Sequence, residues 1–143
     1  MDDSRRKAAA LYPASEKQAD RITTPGGHKL SALTLENVLA GKITPSDIGI
    51  SSEALQLQGE VARAVGRSCL AENFDRGAEL AEVPQEEIFE TYELLRPGRA
   101  RGKQELLDLA QRYREIHKAP NIARLIEEAA EVYGLRGLFQ KRF

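Results

Sequence analysis

One cysteine, two histidines, one methionine and no tryptophan leave this 143-residue chain short of several kinds of chemistry. Cys69 alone cannot form an internal disulfide, and one thiol with two histidines is too few ligands for a Cys/His zinc site. Neither sign of charge is in excess: 21 basic residues face 22 acidic ones, which argues against a general attraction to nucleic acid or anionic membrane. No apolar run approaches the roughly 18 residues of a membrane span, and residues 1–15 lack the apolar core of a secretory signal. These absences predict a cytoplasmic protein. Catalytic patterns are missing too: there is no Ser/His/Asp arrangement in a strand-turn-helix context, no HExxH, and no glycine-rich phosphate cradle. Gly26-Gly27 lacks the glycine spacing of a nucleotide-binding loop. No catalytic, cofactor-binding or metal-binding residue is therefore expected in this chain.

What is present is helix grammar. With 41% apolar and 30% charged residues the chain can bury a core as one domain. The stretch from Ser51 to Pro97 organises it. Ser51 or Ser52 can serve as N-cap. Leu57, Val61, Ala64, Val65, Ser68 and Cys69 follow one helix face, continued by Leu70, Phe74, Gly77, Ala78 and Ala81. Cys69 reads as a small buried hydrophobe on that face. Val83-Pro84 stops the run and opens a second helix, with Ile88, Phe89, Tyr92 and Leu95 as its buried side and Arg96-Pro97-Gly98 as its end. An unbroken helix over 52–82 would be about 46 Å long at about 1.5 Å per residue, against a radius of gyration of roughly 14 to 15 Å for a compact chain of this size. Either it breaks at Gly59, Gly66 or Gly77, or part of it lies on another subunit.

The remaining segments read in order as follows. Residues 1–20, with Arg5-Arg6-Lys7 and Tyr12-Pro13, form a mobile arm, and residues 21–143 a single helical domain. His28 is a surface-loop histidine without an acidic partner nearby in sequence. Thr34 caps a short helix that presents Leu35, Val38 and Leu39 on one side and ends at Gly41. Thr44-Pro45-Ser46-Asp47 opens a further turn with Ile43, Ile48 and Ile50 inward. Residues 96–103, RPGRARGK, carry four basic residues and no acid, the one plausible anion site, although a solvated connector explains them as well. Residues 103–118 are helical by period, with Leu106, Leu107, Ala110, Tyr113 and His117 along one side, and His117 placed for a contact with the helix dipole. Ile122, Leu125, Ile126, Ala129 and Tyr133 make the face of a last helix ending at Gly134. Tyr92, Tyr113 and Tyr133 read as core tyrosines, and residues 135–143 as a basic, partly apolar tail able to dock on a neighbour. The fold class is all-α, an irregular multi-helix subunit with one long central helix and an extended N-terminal arm.

Four motifs occur in an order that identifies a family: Tyr12-Pro13, LTLENVLAGKITPSDIGIS from Leu33 to Ser51, ENFDRGAELAEVPQEEIFETYELLRP from Glu72 to Pro97, and KQELLDLA from Lys103 to Ala110. Over residues 11–133 the chain resembles the small, or gamma, subunit of adenosylcobalamin-dependent propanediol and glycerol dehydratases. It departs from the family pattern at Gly98-Arg99-Ala100-Arg101-Gly102 and from Gly134 onward. Some relatives carry a long N-terminal extension linked to packaging in bacterial microcompartments.

The resemblance implies a mostly helical, non-catalytic subunit in a dimer of heterotrimers. In such enzymes a large (alpha) subunit holds the substrate, and large and medium (beta) subunits enclose the adenosylcobalamin. The holoenzyme converts a 1,2-diol or glycerol to an aldehyde and water. On this reading the present chain binds no cofactor alone and acts as a clamp on the large subunit, with Phe74, Arg76, Tyr92 and Arg96 as partner-binding anchors. Two other readings stay open from the residues: a stand-alone helical interaction module, and a nucleic-acid binder working through the basic loop.

Overall fold

The computed structural model describes residues 3, 6, 7 and 10–140. Among them the chain is all-α: the longest elements are helices, and β pairing is limited to a single isolated bridge between Thr23 and Lys29. The chain divides after Ala81 into two compact units, residues 1–81 and 82–143, each described by itself.

The first unit begins with α1 (Ala14–Lys17), whose Ala14 is buried, and a 3₁₀ turn over Ala19–Arg21. The part of the arm carrying Arg5 and Ala8-Ala9 lies outside the described residues. The short helix α2 (Leu35–Leu39) has the expected cap, Thr34 Oγ1 accepting from the Asn37 amide at 3.3 Å. A 3₁₀ turn over Pro45–Ile48 then leads to α3 (Ser52–Ala64), where Ser51 is the N-cap and accepts from the Ala54 amide at 3.2 Å.

The single long central helix is not formed. The run breaks after Ala64 and restarts as α4 (Ser68–Leu80), which packs back along α3. Of the three interior glycines it is Gly66 that makes the break, at φ +82°, a left-handed conformation that costs a side chain but not glycine. Gly59 instead lies where the two helices approach each other, a Cβ there falling 3.5 Å from that of Phe74 and 3.6 Å from the Ala71 carbonyl oxygen. Helix length therefore supplies no reason to invoke another subunit.

The break also resets the helical phase. Leu57, Val61 and Ala62 of α3 and Ala71 and Ala78 of α4 are buried, whereas Val65 is 52% exposed and Cys69 is exposed, contrary to the buried face expected through them. Leu35, Val38, Leu39, Ile48 and Ile50 are likewise exposed, and of the inward set proposed for that region only Ile43 is buried.

The second unit contains α5 (Gln85–Leu94), α6 (Lys103–Glu115) and α7 (Pro120–Arg136), with α6 and α7 packed on each other. Its core is Leu106, Leu109, Ala110 and Tyr113 from α6 with Ile122, Ala123, Ile126 and Ala130 from α7. Tyr113 is fully buried and its hydroxyl meets Thr91 Oγ1 at 2.8 Å, so the polar end of a core aromatic is satisfied inside. The Tyr133 hydroxyl donates to the Leu95 carbonyl. Tyr92 and Phe89 are exceptions to the expected buried face: both lie more than half exposed on α5. Leu125 is also partly exposed, and α7 runs through Gly134 to end at Gly137, the residue in the left-handed conformation at φ +63°.

Candidate partner-binding site

The first unit carries an open groove of about 720 Å³ along α3 and the start of α4. Val61 and Ala62 are buried in it, Tyr12, Val65 and Leu70 stand exposed around it, and Gln58, Phe74 and Arg67 complete its lining among the described residues. Phe74, chosen from sequence as an anchor, thus lies in a concave apolar surface. Arg76, two residues on, is turned to its own helix, its Nη2 donating to Asn73 Oδ1.

The other two anchors, Tyr92 and Arg96, belong to the second unit. Tyr92 is 63% exposed near the end of α5. Arg96 Nη1 donates to both oxygens of Glu93, at 2.9 and 3.1 Å, and these hydrogen bonds followed by the attraction of the carboxylate raise its pKa above the ordinary arginine value. It is a paired cation rather than a free one.

The basic loop is neutralised in the same way. Arg99 Nε lies 3.9 Å from Glu93, Arg101 contacts Glu105 through both its backbone amide (2.6 Å) and its side chain (3.2 Å), and Lys103 pairs with Glu131. All four positive charges that suggested an anion site therefore already face carboxylates supplied by neighbouring helices. The tail after α7 also has a partner within the chain: Gly98 N–H donates to the Leu138 carbonyl at 2.7 Å and Gln140 N–H to the Ala100 carbonyl at 2.8 Å. Residues 138–140 are tied to the loop by backbone bonds, and residues 141–143 lie outside the described range.

Two clusters join segments distant in sequence, and of their contacts only the capping box between Thr44 and Asp47 was legible locally. Asp47 is buried and accepts from the Thr44 amide at 2.9 Å, the Thr44 hydroxyl at 2.7 Å and the Thr24 hydroxyl at 3.3 Å. His28, expected to lack an acidic partner, places Nε2 3.8 Å from the same carboxylate. The Thr44 amide and then its hydroxyl hold the Asp47 carboxyl below its ordinary value, with smaller help from His28 and Thr24 against the opposing effect of burial. In the second unit His117 lies just beyond α6, and its Nε2 is 2.7 Å from Glu87 Oε2, thirty residues earlier. Arg112 shares Glu87 at 3.5 Å and reaches Glu90 at 3.0 Å. Where a contact with the helix dipole was expected, the structure shows His117 paired directly with a carboxylate on α5.

Both clusters join segments distant in sequence through hydrogen bonds and ion pairs within their own unit. Among the described residues no group of three or more His, Cys, Asp or Glu side chains is arranged to hold a metal ion, and no helix is long and apolar enough to cross a membrane. The α3–α4 groove is concave and lined largely by apolar side chains, and further apolar side chains stand exposed elsewhere on each unit.

Comparison of the sequence with known proteins identifies a family. The family described as "Dehydratase small subunit" matches residues 8–140. The chain is similar to the propanediol dehydratase small subunit of Citrobacter freundii, 41% identical over 122 residues that make up 85% of this chain and 70% of that protein. It is similar also to the propanediol dehydratase small subunit of Salmonella typhimurium, 40% identical over 130 residues, 91% of this chain and 75% of that one. With the family matched over residues 8–140 and about 40% identity to two propanediol dehydratase small subunits, the chain belongs to the dehydratase small subunit family.

Proposed function

We propose that this chain is the non-catalytic small subunit of an adenosylcobalamin-dependent dehydratase that converts a 1,2-diol, propanediol or glycerol, to an aldehyde and water. Its task is to stabilise the assembled enzyme by packing on the large subunit. The complex is a dimer of heterotrimers of large, medium and small chains, located in the cytoplasm or enclosed there in a bacterial microcompartment.

The observation that carries this reading, beside the family, is apolar surface left open where the sequence pattern calls for burial. Leu35 is 74% exposed, Leu39 79% and Ile48 70%. A monomer rarely exposes large apolar side chains so densely unless another surface covers them. Phe74 and Tyr92 serve as apolar anchors in this scheme, with Arg76 and Arg96 as flanking cations.

Substrate and cofactor are assigned to the other subunits. His117 directs Nε2 at Glu87, and its side chain is only 9% exposed. His28 directs its own Nε2 toward Asp47.

Co-expression of the tagged chain with the large and medium subunits of a propanediol dehydratase tests the proposal. A complex with equal amounts of the three chains is expected. Elution of the chain alone, as a compact monomer with no affinity for the other two, would refute it.

A further inference from the structure

The α3–α4 groove has a charge as well as a shape, and together they define what fills it. Its floor is Val61 and Ala62, its rim Tyr12, Val65 and Leu70. Among the described residues Arg67 is the one charged side chain of its lining, with Gln58 as a neutral polar one. This arginine is the N-cap of α4, a helix with no acidic residue in its first turn and no side chain capping its amides. One turn earlier Arg63 is neutralised by Asp75. The groove therefore combines apolar walls with a cation at the positive end of a helix dipole, which an incoming carboxylate complements.

We propose that the groove seats an apolar segment of another subunit of the same dehydratase, with an Asp or Glu of that segment paired to Arg67. This rests on the small-subunit reading above and extends it to a surface and a partner chemistry. A second copy of this chain is the poorer occupant. An isologous contact through the groove would bring two Arg67 side chains together.

The test uses the three-subunit complex and a single thiol. In a Cys69→Ser background, Val65→Cys places one cysteine on the groove rim, and both positions are exposed, so the core is untouched. Its alkylation rate is measured in the chain alone and after adding the large and medium subunits. The rate should fall about tenfold or more on assembly. Arg67→Glu should weaken assembly about tenfold and Arg67→Lys should preserve it, as expected for a charge pair in a desolvated contact. A complex that forms with the thiol as reactive as before overturns the groove assignment while leaving the small-subunit reading intact. Protection that grows with concentration of this chain alone overturns it in favour of a second copy. Failure to form any complex overturns both.

Discussion

Gly26 lies against the carboxylate of Asp47 so closely that a Cβ on residue 26 would stand 2.0 Å from Asp47 Oδ1 and 3.2 Å from its Cγ. The carboxylate cannot swing aside cheaply, because Thr44 and Thr24 hold it by three hydrogen bonds. Gly26→Ala should therefore destabilise the first unit by about 1–3 kcal/mol, the usual cost of forcing extra volume into a filled site. Thermal unfolding of Gly26→Ala, Asp47→Ala and the double variant checks this. The double variant should lose less than the sum of the singles, since one change removes the atom the other meets.

The same carboxylate sets an acid limit. Its pKa is lowered in the folded chain, first by the Thr44 amide and then by the Thr44 hydroxyl, so folding favours the ionised form. The resulting stability is fully present above the unfolded carboxyl value of about 3.9 and is lost as pH falls through the lower folded value. The melting temperature should decline below about pH 4, and Asp47→Asn should show a shallower decline over that range. Parallel acid limbs in the two proteins would contradict the assignment.

Tyr113 and Thr91 make a hydrogen bond between two buried side chains in the core of the second unit, at 2.8 Å. Tyr113→Phe leaves the threonine hydroxyl without its partner and should cost about 1–3 kcal/mol, as should Thr91→Val. Making both changes removes donor and acceptor together. The double variant should be more stable than additivity predicts, by denaturant unfolding.

Two glycines of the 52–82 stretch should respond with opposite sign. Gly66 has a positive φ and open space around its missing Cβ, so Gly66→Ala costs only backbone strain, about 1–2 kcal/mol. Gly77 sits inside α4, and a Cβ there would rest 3.6 Å from Leu55 Cδ1, ordinary contact. Gly77→Ala should stabilise by up to about 1 kcal/mol. Calorimetry of the two single variants distinguishes them directly.

These residues also show where the sequence is readable. Thr34 and Ser51 are legible because a cap and the amide it accepts from are three residues apart. The restart at Pro120 and the all-α class follow from equally local signals. The choice among Gly59, Gly66 and Gly77 is not local. It depends on α4 folding back on α3, which sets Gly59 into a close approach and leaves the turn to Gly66. For the same reason Cys69 and Val65 left the face assigned to them once the phase was reset.

Partners across long separations were invisible: His117 with Glu87, His28 with Asp47, and Lys103 with Glu131. Periodicity identifies the apolar side of α2 but carries no information on whether anything covers Leu35 and Leu39, which stand open. At the candidate site Phe74 was found from its motif and lines the groove, whereas Arg67, its charged member, has no local signature. The family itself was readable from the order of the motifs, which extends over most of residues 8–140.

The most direct test of the account is diol-to-aldehyde turnover by purified large and medium subunits with added adenosylcobalamin, measured with and without this chain. The account predicts that sustained turnover requires the chain and that it cannot turn over the diol by itself. Full and lasting activity of the other two subunits in its absence would contradict it.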